Sequence, residues 1–146
     1  MDGAAPFPIH DLWVRPLTAV SIPAGAAHTA LTDAEPVLHR FGLAQVVRAD
    51  PESPPALRLR SHADEVWAVL EGRAALRWLD LREGSPTRGA RFDLACHEPT
   101  RVLVPFGVAF GVHALDGPAL LLRLATHTDA DPAAAGDRSL PWDAAP

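Results

Sequence analysis

The stretch that decides the fold runs from Glu65 to Leu94 and reads EVWAVLEGRAALRWLDLREGSPTRGARFDL. Two apolar segments of strand length are predicted to form a hairpin with its turn at Glu71-Gly72, and a Gly/Ser/Pro turn then leads into a further strand. A second stretch, VPFGVAFG at 104–111, places a Pro-x-Gly turn directly before another strand. Together the two stretches predict the two halves of a small β-barrel pocket.

Turn residues divide the remainder of the chain into pieces of strand length. Its 15 prolines and 10 glycines leave little room for helices, and the alternation within 38–48 predicts another strand. We expect a tight hairpin turn at Asp116-Gly117-Pro118. The tail from about 128 to 146 is predicted to be irregular, with one helical turn near 132–135 and Trp142 as its anchor.

Strict alternation marks the segment LRLRSH at 57–62. Leu57 and Leu59 fall on one face of the predicted strand, and Arg58, Arg60 and His62 fall on the other. If the polar face points inward, a barrel interior holds two cations, which is costly unless an anion or a carboxylate accompanies them. That arrangement favours an anionic ligand. The alternative is that this face is solvated and the leucine face is buried.

Length and composition limit the architecture and the partners. A chain of 146 residues that is 48% hydrophobic can bury one sizeable core, so we expect a single domain over 1–146. A net charge of -5 argues against a nucleic-acid partner, which requires a clustered basic surface. No apolar run is long enough to span a membrane and no basic-apolar leader is present, so a soluble, cytoplasmic protein is expected.

The amino-acid inventory excludes several kinds of chemistry. The chain has no Lys, Tyr or Asn, so Schiff-base catalysis, a lysine base and a tyrosine acid are all excluded. Its 13 permanent side-chain cations are all arginines, which bind anions but do not shuttle protons. The single Cys96 excludes an intramolecular disulfide and a multi-cysteine zinc site, and we interpret it as a buried, inert thiol.

Two motifs resemble a known superfamily. Glu65 with Gly72 fits the first cupin motif, and the Pro-x-Gly of 105–107 fits the second, which implies an all-β double-stranded jelly-roll barrel. The order of five segments further resembles the dTDP-4-dehydrorhamnose 3,5-epimerase family. These segments are Glu71-Gly72, Leu79-Asp80-Leu81-Arg82, Gly84 to Gly89, Val104 to Gly111 and Trp142-Asp143.

The resemblance implies proton abstraction beside a sugar ketone and reprotonation on the opposite face, without a metal or other cofactor. The family's base is a His in an Arg-Gly-Leu-His strand, which aligns with 58–61 here and ends on Ser61. A slip of one residue makes His62 the base candidate. Phe110 stands where the family has a second His. The family's acid is a Tyr, for which His127 is the nearest titratable substitute.

The remaining pocket candidates are polar or aromatic residues expected to contact the substrate, which we expect to be an anionic sugar derivative. They are Arg58, Arg60, Glu65, Arg77, Phe110 and Arg123. Glu65 has three alternative interpretations: a ligand of a metal cupin, a polar pocket group, or the ion-pair partner of Arg58 or Arg60.

Three functions follow from these residues. The first is a nucleotide-sugar epimerase or isomerase that abstracts a proton next to a carbonyl, with no metal. The second is a non-catalytic cupin that binds a carbohydrate or an effector, and the third is a metal-dependent cupin enzyme that uses His62 and Glu65. Apolar residues on both faces of the 66–81 segment also predict a homodimer, with a second subunit covering one face.

Overall fold

The computed structural model describes residues 7–35 and 37–146. Within them the chain forms ten strands and a short 3-10 helix, Pro132–Gly136. The strands are β1 Val14–Pro16, β2 Ala19–Ile22, β3 Gly25–His28, β4 Leu43–Ala49, β5 Ala56–Leu59, β6 Glu65–Asp80, β7 Arg91–Cys96, β8 Thr100–Val104, β9 Val108–Ala125 and β10 Arg138–Pro141. In the described part of the chain, no helix is long and apolar enough to cross a membrane.

The two long strands β6 and β9 organise the sheet. They pair antiparallel from Glu65 opposite Ala125 to Asp80 opposite Val108. On one side β6 pairs with β7 and β8, and on the other side β9 pairs with β4 and β5. β1 and β10 extend this sheet at its edges, and β2 and β3 form a separate hairpin. The all-β prediction is therefore confirmed.

Two turns predicted from glycine are bends within continuous strands. Gly72 and the 116–118 segment face each other across β6 and β9, where the register shifts between Val69 and Arg73. The positive φ values of Gly72 (86°), Asp116 (60°) and Gly117 (147°) bend the strands without reversing the chain. A Cβ at Gly72 would lie 2.6 Å from the Pro118 carbonyl oxygen, so this close approach requires glycine. The hairpin interpretation of both sites is wrong because sequence does not distinguish a bulge from a turn.

The tail predicted to be irregular is instead ordered against the barrel. β10 pairs antiparallel with β5, from Arg138 opposite Leu59 to Pro141 opposite Ala56. The predicted helical turn is present as the 3-10 helix, with the Asp131 side chain accepting a hydrogen bond from the Ala133 N–H. The prediction missed β10 because a strand of four residues, two of them polar or charged and one a proline, carries little periodic signal.

Trp142 anchors this tail, as predicted. It packs with Leu140 against a small apolar cluster of Leu57, Leu79 and Ala109. The Arg77 guanidinium carbon lies 4.6 Å from the centre of the Trp142 ring. At this end of β6, the outward apolar face from which a homodimer was predicted is therefore covered by the chain's own tail.

The inner face carries the larger core. Trp78 is fully buried between Phe92 and Phe110, with ring centres 5.2 and 5.1 Å away. Trp67 extends the aromatic row, 5.4 Å from Phe110. Alternate residues of β6 point inward on each side of the bend at Gly72, where the register shift brings Trp67 and Trp78 to the same face.

The Leu79 to Gly89 segment is held by a buried carboxylate. Asp80 accepts hydrogen bonds from the Arg82 Nη2 (3.0 Å), the Ser85 hydroxyl (2.7 Å) and the Thr87 hydroxyl (2.7 Å). Burial alone would raise the pKa of Asp80, but these donors, with Arg82 first, hold the pKa well below its usual range. A Cβ at Gly107 would collide with the Arg82 side chain, so the Pro-x-Gly motif packs directly on this loop.

Replacing Asp80 by Asn should lower the free energy of unfolding by about 3 kcal/mol, because it leaves the buried Arg82 contacts uncompensated. Since folding lowers the pKa of Asp80, its contribution is complete above about pH 4 and decreases as the pH falls below that value. Urea unfolding at several pH values measures both effects. Asp93→Asn, at a half-exposed site, is the matched control, and an equal loss in the two variants would contradict this role.

Candidate functional site

A cavity of about 300 Å³ lies in the barrel interior. Its lining includes Arg58, Arg60, Glu65, Trp67, Phe110 and Arg123, and β4 adds Gln45 and Val47. Five of the six residues predicted to contact a substrate therefore lie together. The inward direction of Arg58 and Arg60 follows from β5, whose alternate residue Leu57 is fully buried beneath the tail.

Glu65 is the centre of the charged part of this cavity. Its Oε2 accepts hydrogen bonds from Arg60 Nη1 and Arg123 Nη2, both at 2.5 Å, and its Oε1 accepts one from the Trp67 indole at 2.8 Å. All three charged side chains are almost completely buried. Two of the interpretations considered for Glu65 therefore describe the same arrangement: it is a polar group in the cavity wall, and it forms the ion pair with Arg60, extended to Arg123.

Two further carboxylates complete the charge balance. Asp137 Oδ2 lies 2.7 Å from Arg60 Nε, and Asp137 Oδ1 accepts the Ser61 backbone N–H at 2.8 Å. Asp129 forms a two-point contact with Arg123, with Oδ1 2.8 Å from Nη2 and Oδ2 3.0 Å from Nη1. Sequence reasoning missed both, because they follow the last long strand in a segment without periodicity.

These ion pairs shift the pKa values of Arg123 and Asp129. Burial of Arg123 would lower its pKa, but the hydrogen bonds that Arg123 donates to Asp129 and Glu65 outweigh burial and raise it. The hydrogen bond from Arg123 is also the main cause that lowers the pKa of Asp129 from 3.8 to about 2. Both groups are therefore charged throughout the physiological range.

Arg58 differs from the two arginines beside it. Its side chain is 42% exposed, and its Nη2 lies 3.2 Å from Asp129 and 3.7 Å from Asp137. Among the described residues, these ion-pair contacts are its polar partners, and neither has hydrogen-bond geometry. Arg58 therefore keeps donors available for an anionic group at the edge of the cavity.

Neither predicted acid-base histidine lines the cavity. His62 is exposed, and its Nδ1 lies 3.0 Å from the Ser61 hydroxyl and 3.1 Å from the carbonyl oxygen of Ala133. His127 is half-buried, with Nδ1 2.8 Å from the Thr126 hydroxyl. The chain bends at Ser61 and His62, beyond the end of β5, so the inward alternation of Arg58 and Arg60 does not continue to His62.

Arg77 also lies outside the cavity. It pairs with Asp93 through Nε and Nη2 at 2.7 and 3.1 Å, and it donates to the Trp142 carbonyl at 3.1 Å. The hydrogen bonds that Arg77 donates to Asp93, and then to Asp143, raise its pKa. The structure thus places Arg77 as a clamp for the tail on the outer face of β6.

The metal alternative required His62 and Glu65 to share an ion. His62 is exposed against the 3-10 helix, whereas Glu65 is buried between two guanidiniums. Within residues 7–35 and 37–146, no group of three or more His, Cys, Asp or Glu side chains is placed to hold a metal ion.

Comparison with known proteins identifies the architecture. No protein-family model matches the chain. The spore coat polysaccharide biosynthesis protein SpsL of Bacillus subtilis is 29% identical over 113 residues, which cover 76% of this chain and 75% of SpsL. A dTDP sugar isomerase from Desulfovibrio desulfuricans superposes with a TM-score of 0.82 at 22% identity, over 97% of this chain and 90% of the isomerase. The chain has the jelly-roll fold of the dTDP-sugar epimerases and isomerases.

A second solved structure extends this likeness. ChmJ from Streptomyces bikiniensis, a 3'-monoepimerase in complex with dTDP-quinovose, gives a TM-score of 0.77 at 18% identity, over 93% of this chain and 72% of ChmJ. The jelly-roll barrel and the epimerase resemblance predicted from the sequence are confirmed at the level of the fold. Phe110, which the sequence resemblance aligned with a histidine, contributes an aromatic wall of the cavity.

The ion pair between Asp129 and Arg123 predicts that the difference in unfolding free energy between the wild type and Asp129→Asn depends on pH. Because the pKa of Asp129 is about 2 in the folded state and 3.8 ordinarily, its contribution is present above about pH 4 and is lost as the pH falls towards 2. Asp129 is partly solvated, so Asp129→Asn should cost only about 1 kcal/mol at pH 7. Urea unfolding should show this difference shrinking below pH 4. A difference that stays constant down to pH 2 would contradict it.

Proposed function

We propose that this protein acts on a nucleotide-linked keto-sugar as an epimerase or isomerase, exchanging a proton on a carbon next to the carbonyl. The observation that carries the proposal is a cavity that joins aromatic walls to a partly free arginine, inside an epimerase fold. The similar structures include a dTDP sugar isomerase and an epimerase bound to dTDP-quinovose. SpsL, the curated relative, is named for polysaccharide biosynthesis.

The cavity matches the chemistry of such a ligand. A volume of about 300 Å³ holds a sugar ring, since small-molecule sites begin at about this size. Trp67 and Phe110 offer apolar ring surfaces for the sugar or the base. Arg58 lies at the edge with donors suited to a phosphate oxygen.

A specific observation favours a second candidate function, binding without chemistry. His62 and His127 lie outside the cavity, and both oxygens of Glu65 already accept hydrogen bonds from Arg60, Arg123 and Trp67. Proton abstraction needs a base within hydrogen-bond reach of the carbon-bound proton. A cupin that binds a nucleotide sugar and leaves it unchanged would need only the arginines and the aromatic walls.

Solvent exchange separates the two functions. A dTDP-4-keto-6-deoxy-sugar is incubated with the protein in deuterium oxide, and deuterium next to the carbonyl is measured by mass spectrometry and NMR. If the protein is an enzyme, deuterium incorporation should be well above that of a protein-free blank. The His62→Ala variant tests His62 as the base, because losing the base should abolish the incorporation. Saturable binding without incorporation would establish the binding function, and failure to bind both the keto-sugar and dTDP would reject both.

A homodimer in the cytoplasm remains part of the proposal. Val46 on β4 is 70% exposed and the nearby Phe41 is 73% exposed, so this side presents large apolar side chains to solvent. A second copy that covers them would account for their exposure in one chain. Sedimentation equilibrium should give a dimer that dissociates in Val46→Glu, with the exposed Ala26→Glu as control. A monomeric wild type would reject the dimer.

A further inference from the structure

Three arginines that line the cavity surround a single carboxylate oxygen. Asp129 Oδ1 lies 2.8 Å from Arg123 Nη2, 3.2 Å from Arg58 Nη2 and 3.3 Å from Arg60 Nη1. The second oxygen, Oδ2, lies 3.0 Å from Arg123 Nη1. Convergent guanidiniums with a two-point contact are the arrangement by which proteins bind carboxylate and phosphate groups.

The three carboxylates of this cluster differ in how firmly they are held. The side chains of Glu65 and Asp137 are only 5% and 7% exposed, and each accepts hydrogen bonds from at least two residues. Asp129 is 37% exposed and lies in a turn beyond the end of β9. Glu65 and Asp137 are therefore fixed counter-ions, whereas Asp129 can leave by a movement of its turn.

The charges of the cluster balance only while Asp129 is in place. The three positive charges of Arg58, Arg60 and Arg123 are matched by three negative charges on Glu65, Asp129 and Asp137. A phosphate that entered while Asp129 stayed in place would meet a neutral cluster and a nearby like charge. If Asp129 left, the cluster would carry one net positive charge and its free guanidinium donors would face the entering anion.

We propose that Arg58, Arg60 and Arg123 form an anion site that Asp129 occupies from within the chain, and that a phosphate group of the ligand displaces Asp129. The identity of that ligand as a nucleoside diphosphate rests on the proposed function. The anion site itself rests only on the geometry of the cluster. Asp129 would then lower the affinity for free phosphates and set a threshold that a larger ligand, with added ring contacts, exceeds.

Calorimetric titration with two probes, inorganic pyrophosphate and dTDP, tests the displacement. Asp129→Asn removes the competing charge and should bind pyrophosphate at least about tenfold more tightly than the wild type, equivalent to about 1.4 kcal/mol. Asp116→Asn is the matched control, because it removes one exposed aspartate charge beside a single arginine, Arg73. In Asp129→Asn combined with Arg58→Gln, most of the gain should disappear.

The two probes separate this proposal from the proposed function. If Asp129→Asn tightens pyrophosphate while no protein binds dTDP, the anion site stands and the nucleotide-sugar function fails. If the wild type binds dTDP but Asp129→Asn binds each probe no more tightly than the wild type does, the displacement is overturned and the nucleotide-sugar function stands. An equal gain in Asp116→Asn would also overturn it, since the effect would then be one of net charge.

Hydrogen exchange in the wild type provides an independent measurement if Asp129→Asn does not fold. The Asp131 N–H donates to the Thr128 carbonyl within the turn, and the Ala133 N–H donates to the Asp131 side chain. Displacement of Asp129 by pyrophosphate should speed exchange of the amides of Asp129, Ala130, Asp131 and Ala133, because the turn loses the attachment that the Asp129 side chain makes to the arginines. Unchanged or slower exchange at the highest pyrophosphate concentration would overturn the proposal.

Discussion

The burial of Arg60 and Arg123 around Glu65 is the constraint on which the site depends. Guanidiniums removed from water are tolerated only when their donors are matched by carboxylates or carbonyls. Glu65 alone does not supply enough acceptors, so Arg60 also takes Asp137 and the carbonyls of His127 and Thr128. The segment after β9 is consequently needed to supply acceptors for the arginines buried inside the barrel.

That requirement links the tail to the site. Asp137 reaches Arg60 because β10 pairs with β5, and β10 is held in turn by Leu140 and Trp142 over Leu57. Outside the barrel, Arg77 fixes the same segment through the Trp142 carbonyl and ring. Apolar docking on the outer face and ion pairing on the inner face therefore support each other across a single strand.

The buried arginines also determine which kind of ligand the cavity is suited to bind. Its described walls combine aromatic rings with guanidiniums, which bind and orient anions but hold their protons at any working pH. Phe110 packs between Trp67 and Trp78, so this position, which the sequence resemblance aligned with a histidine, supplies packing and no titratable group. The cavity walls are therefore suited to an anionic ligand that carries a ring, whereas proton transfer requires a group brought to the cavity.

The barrel was predictable because its signals are local. Alternation placed Arg58 and Arg60 on one face, and the Glu65, Gly72 and Pro-x-Gly pattern indicated the cupin sheet. The bends at Gly72 and 116–118 were mistaken for turns, since a positive φ serves either purpose.

The missing half of the site depends on contacts distant in sequence. Asp129 and Asp137 lie about 70 residues or more from Arg58 and Arg60, which they contact, and no spacing rule connects them. His62 was placed in the pocket by extending the alternation of β5 past its end, where the backbone no longer follows it.

A crystal structure of the protein with dTDP tests the central claim most directly. The account predicts the diphosphate beside Arg58 in the barrel cavity, within hydrogen-bond distance of its guanidinium, with an aromatic wall against the ligand. Asp129 should have moved away from Arg123. A nucleotide bound elsewhere on the surface, with the Arg58, Arg123 and Asp129 contacts unchanged, would contradict it.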